Sequence, residues 1–134
     1  MRATGFLTLC LAIFLMAPPV TAQGYGPRNR EAVTPAGSAF IVHGDAGYGA
    51  RGMWCIAADY AKRRLNAHGH QRLYIREGRA PGLGQRAGVA FTLDPTGLTP
   101  SSVLILGTSL RRPGANLSID HAYSFCADLR GNRR

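Results

Sequence analysis

Cys55 and Cys126 lie about 70 residues apart, and a bond between them would fix two distant parts of a short chain against each other. Whether they pair depends on the compartment, which the amino terminus addresses. Met1-Arg2 is a short positive start, residues 6–16 are apolar except for Thr8, and Val20-Thr21-Ala22 closes the segment with small residues. That three-part pattern reads as a cleavable signal peptide over 1–22, with a mature chain beginning at Gln23. The apolar run is shorter than the roughly 20 residues a spanning helix needs, and Pro18-Pro19 interrupts it, so no stable membrane insertion is expected after cleavage. Leu9 before Cys10 is not the small residue that lipid attachment would require. The expected location is periplasmic or secreted. Oxidising surroundings favour joining an even pair, so a Cys55–Cys126 disulfide is expected, with a chain-entropy contribution of about 4 kcal/mol.

Without the signal segment about 112 residues remain, which is one small domain on the usual length prior. Hydrophobic residues make up 46% of the chain and charged residues 17%, a globular balance and not a disordered one. A leader over 23–37, rich in Gly, Pro and Arg, is expected to have no fixed structure. A single domain over 38–129 follows, and then a basic tail over 130–134. Within the domain, 38–43 reads as a strand and the glycine-rich 44–52 as a loop. The stripe Trp54, Ala57, Ala58, Ala61 and Leu65 predicts a helix over about 53–67, ending near Gly69. Period-two patterns predict strands over 72–76 and 89–93, with a turn-rich connection over 77–84 and a turn at 94–97. The unbroken apolar run 103–106 reads as a strand buried on both faces. A turn at 111–115 leads to a last strand over 116–126, with Leu117, Ile119, His121, Tyr123 and Phe125 alternating against Ser118, Asp120, Ala122, Ser124 and Cys126.

These elements predict an α+β fold: one helix packed on a mostly antiparallel, curved sheet of about four to five strands, with one disulfide. Strict alternation then creates a conflict. If Cys126 faces the helix, the large apolar residues of its strand face away, so either that face is also covered or a bulge changes the parity, and a strongly curved sheet or half barrel would resolve it.

The net charge is +9, and removing the first 22 residues takes away a single arginine. All but one of the basic residues are Arg, whose forked donors suit phosphate and carboxylate. Arg51, Arg63, Arg64, Arg111 and Arg112 are the candidate contact residues. An exported chain rarely meets nucleic acid, and its aromatic residues are not interleaved with Arg as stacking would require. An anionic envelope polymer or an acidic protein is the expected partner, and the leading expectation is a binding or accessory protein without catalytic activity.

Other motifs compete with that reading. Gly47-x-Gly49-x-x-Gly52 between a strand and a helix, with Glu77 further on, has the skeleton of a dinucleotide turn, but the chain has no room for a doubly wound sheet. His68 and His70 flank Gly69 with no third ligand nearby, and neither His43-Gly44-Asp45 nor Asp120-His121 adds one; no metal or cofactor is expected. Asn116-Leu117-Ser118 satisfies the glycosylation pattern by composition alone. A cysteine opening a helix after a glycine-rich loop is placed for a lowered pKa, with His121 as a candidate base. Gly52-Met53-Trp54-Cys55, the segment 87–91 and Asp120-His121-Ala122-Tyr123 together resemble the papain-like cell-wall amidases of the NlpC and CHAP kind. The resemblance implies Cys55 as nucleophile and His121 as base of a hydrolase acting on the cell envelope. The two readings of Cys55 exclude each other, because a bridged sulfur is no nucleophile.

Overall fold

A computed structural model describes residues 33–81 and 87–131. The expected signal peptide, most of the leader, part of the connection after the third strand, and the end of the tail lie outside the described residues. The elements in chain order are β1 (Val33–Ala36), β2 (Ala39–Val42), α1 (Gly49–Arg64), β3 (Arg72–Glu77), β4 (Val89–Thr92), β5 (Ser101–Ser102), α2 (Leu106–Ser109), β6 (Ala115–Ser118), α3 (Ile119–Ser124) and α4 (Cys126–Gly131).

The expected α+β class holds, with six strands in the order β1-β2-β4-β3-β6-β5, antiparallel except where β5 runs parallel to β6. Both β2 and β3 are antiparallel to β4, so they run parallel to each other with β4 between them. The unit β2-α1-β3 is therefore a split crossover, and α1 lies over the strand inserted in it. Trp54 meets Phe91 edge-on at 5.1 Å between ring centroids, and Tyr60 meets Phe40 at 4.5 Å. Phe40, Phe91 and Ile75 are paired across three strands and fully buried beneath the helix. Burying each such side chain contributes about 2 kcal/mol. A bulge between Ile75 and Glu77 shifts the register of β3 against β4.

Every residue from Gly52 to Ala61 is buried, which a helix resting on a sheet alone would not show. The other side of α1 is covered by α3 and α4. Here the sequence reading needs correction. The segment 116–126 is not one strand: β6 stops at Ser118, whose Oγ accepts the backbone N–H of His121 at 3.3 Å and caps α3. Buried Ile119, Ala122, Phe125, Cys126 and Leu129 follow a spacing of three and four, so the true period is helical. That removes the parity conflict. Cys126 opens α4, and the Cys55–Cys126 disulfide joins two helices, with Cα atoms 5.0 Å apart, and not a helix to a strand.

Three smaller expectations also change. Residues 33–36 of the leader form β1, because pairing with β2 satisfies their backbone and buries Val33. The helix ends at Arg64 and not near Gly69, because Asn66 takes a left-handed φ of 52° and Ala67 N–H closes back on the Ala61 carbonyl. Leu65 is accordingly 44% exposed and not part of the buried stripe. The run 103–106 is no buried strand. β5 is two residues long at the sheet edge, and beyond it Leu104 is 88% and Ile105 66% exposed.

The loop expected over 44–52 is shorter, because α1 begins at Gly49 and not near Met53. Gly47 and Gly49 take φ of 82° and 57°, and a Cβ on Gly52 in the first turn of α1 would overlap the Asp45 carbonyl oxygen, so the loop folds back on the start of the helix. Asn116 is buried, accepts from Arg72 Nε at 2.7 Å, and donates to the carbonyls of Ser101 and Gly114. It ties β3, β6 and β5 together and is not presented for modification.

Two outcomes follow from this architecture. Replacing Cys126 with Ser should lower unfolding stability by about 4 kcal/mol, the loop-closure entropy for a separation of 71 residues, and reductant should reproduce that shift in the denaturant midpoint of the native chain. In the turn after β4, Asp94 accepts from the Thr96 hydroxyl at 2.6 Å and the Thr96 N–H at 2.9 Å, and Arg76 adds a favourable charge; together these hold the carboxyl below its ordinary 3.8. The folded form is thus favoured above that value, and the benefit is lost as pH falls through the lowered one. Thr96→Ala should move the Asp94 midpoint, followed by NMR, back up towards 3.8.

Candidate functional site

Cys55 is not available as a nucleophile in this fold. Cys55 is 2% exposed and its Sγ is bonded to that of Cys126, so it carries no thiolate. His121 sits exposed on α3, with its ring 5.4 Å from that of Phe125. Among the described residues, no group of three or more His, Cys, Asp or Glu is placed to hold a metal ion. His68 and His70 stack on each other at 5.9 Å.

The candidate arginines divide by what they touch. Arg51 Nε donates to Asp128 at 2.6 Å, and its guanidinium lies 4.9 Å from the Phe125 ring centroid, pinning α1 to α4. Arg63 donates to Asp59 at 2.7 Å, one turn earlier in the same helix. Arg64 is exposed at the end of α1. Arg111 and Arg112 are exposed in the turn after α2. Of these five, Arg111 lines a cavity.

That cavity, of about 310 Å³, lies between the first turn of α1 and the α2 turn, and is lined by Ala50, Arg79, Gly107, Thr108, Leu110 and Arg111. Arg79 went unnoticed in the sequence because it falls in the turn-rich connection after β3. It is only 8% exposed, and its Nε donates to the Ala87 carbonyl at 3.2 Å. Its backbone N–H donates to the Leu110 carbonyl at 2.7 Å, which fastens the connection to the α2 turn. Gly78 makes this approach feasible, because a Cβ there would lie 2.7 Å from the Arg111 carbonyl carbon. Two guanidinium groups are thereby brought to one cavity whose lining, among the described residues, contains a hydroxyl and no carboxylate.

Like charges sharing one concavity repel, and they repel more where the protein wall displaces water. The first turn of α1 adds the positive end of a helix dipole, and it holds no acidic residue. Chemically the cleft favours a small anion or an anionic group on a larger molecule. Forked Arg donors and the Thr108 hydroxyl match the oxygens of carboxylate or phosphate.

The α2 wall is held from behind. Trp54 Nε1 donates to Ser109 Oγ at 2.9 Å, and Ser109 Oγ donates to the Leu106 carbonyl at 2.6 Å. Ser109→Ala should orphan the buried indole N–H and lower stability by about 1–3 kcal/mol. The same substitution in a Trp54→Phe background should cost less, and equal costs in a double-mutant cycle would deny the bond any role.

Compared with known protein families, with curated proteins and with solved structures, the chain matches none, and its function must be read from its own residues.

Proposed function

We propose that this is an exported, disulfide-stapled binding protein that accepts an anionic group of an envelope polymer or an acidic protein in the cleft between α1 and the α2 turn. The observation that carries the reading is the placement of buried Arg79 and exposed Arg111 on one cavity whose lining, among the described residues, contains no carboxylate. Export supports it twice. It supplies the oxidising surroundings in which Cys55 and Cys126 pair, and it brings a chain of net charge +9 to anionic envelope components. Arg51 and Arg63 hold the scaffold through Asp128 and Asp59; recognition falls to exposed Arg111 on the cavity, with Arg79 in its wall and Arg112 adding to the local field.

Titration with inorganic phosphate, followed by amide NMR, should perturb Gly107, Thr108 and Arg111 first. Arg111→Glu should weaken the affinity about tenfold or more, and it is an exposed position where the fold is not at stake. Affinity should fall as ionic strength rises. Perturbations scattered over the surface, or a response indifferent to Arg111→Glu, would overturn the assignment of the cleft.

A further inference from the structure

Directly before the cleft-lining turn, the chain exposes Leu104 and Ile105, side by side. A single exposed aliphatic needs no explanation, but this pair projects from a fixed support. Val103 on one side and Leu106 on the other pack against the core. The Ile105 carbonyl accepts from Thr108 Oγ1 at 3.0 Å and Ser109 N–H at 3.2 Å. The tip is therefore held in place by the same turn that forms the cleft wall. Between Asp94 and Asp120 the sequence has no acidic residue, while Arg111 and Arg112 are both exposed. An apolar tip next to clustered positive charge is the pair of signals that binds a peripheral protein to an anionic bilayer: aliphatic insertion at the interface and attraction to acidic headgroups.

Resting on the cleft reading above, we propose that the anionic group it takes is the phosphate headgroup of an acidic phospholipid, with Leu104 and Ile105 inserted among the neighbouring chains. Two convex aliphatic side chains offer far less than the roughly 1,000 Å² a stable protein interface buries, whereas a bilayer accepts a small wedge provided that charge assists it. No described helix is long and apolar enough to cross a membrane, so the mode is surface attachment.

The test uses protein recovered after export, floated with vesicles of phosphatidylcholine containing one quarter phosphatidylglycerol, and with vesicles of phosphatidylcholine alone. Binding should require the acidic lipid, and the uncharged double variant Leu104→Ser with Ile105→Ser should weaken it at least tenfold at unchanged melting temperature. The same double variant should leave the affinity for inorganic phosphate within about twofold, because the cleft is intact, while Arg111→Glu should reduce both. Phosphate binding without vesicle binding would overturn the lipid assignment and leave the anion cleft standing. Loss of both in the wild-type chain would overturn the cleft as well. Equal binding to neutral vesicles, or vesicle binding insensitive to the double variant, would also overturn the proposal. So would binding of a soluble acidic polypeptide such as polyglutamate that is as sensitive to the double variant as vesicle binding, since the tip would then serve a protein partner.

Discussion

The bond between Cys55 and Cys126 fixes the middle layer of the domain to its outer one. α1 is buried from Gly52 to Ala61, so it needs cover on the side away from the sheet, and that cover comes from α3 and α4. Each of those helices is only six residues long, well below the length at which an isolated helix is stable in water. Their order comes from docking on α1, through the disulfide at the start of α4, Arg51 against Asp128, and Lys62 against Asp120 at 3.0 Å. The two ion pairs are exposed and each is worth at most about 1 kcal/mol, so the covalent link dominates. With α1 held, Trp54 is fixed between Phe91 and Ser109, and the α2 wall of the cleft hangs from that indole.

Where period and burial coincide, the sequence is informative. Strands β2, β3 and β4 alternate because one face lies under α1, and the alanines of α1 mark its close approach to the sheet. The C-terminal segment misleads because apolar residues at 117, 119, 123 and 125 mimic alternation. Its real signal is Ser118 followed by Asp120, a cap and an acidic first turn, with Ile119, Ala122, Cys126 and Leu129 on one helical stripe. The run 103–106 fails for another reason. Four apolar residues in a row have no period, so nothing local distinguishes a strand at the centre of a sheet from a loop leaving its edge.

Charge is still less legible. The count of arginines is read directly from the chain, but their roles depend on partners that folding brings in. Arg51 finds Asp128 across 77 positions, and Arg72 finds Asn116 across 44. Arg79 carries no sequence mark at all. Its importance arises when Gly78 lets the segment after β3 close on the Leu110 and Arg111 backbone, which leaves a guanidinium nearly buried beside a second one. Clustering in the sequence does not separate these roles: Arg63 pairs with Asp59 on α1, whereas Arg111 lines the cavity.

The edge of the sheet brings these threads together. β5 offers only two residues to β6, and a short edge strand limits pairing with other chains. The chain then turns away at once, so Leu104 and Ile105 cannot enter the core that their composition suggests. Two aliphatic side chains in water are unfavourable, and the cavity beside them gathers the side chains of Arg79 and Arg111. Both are imposed by the same short turn, whose backbone is fixed by Thr108 and Ser109. On the proposed reading, a ligand that is apolar in one part and anionic in the next would answer both features, whereas a free anion would answer only the second.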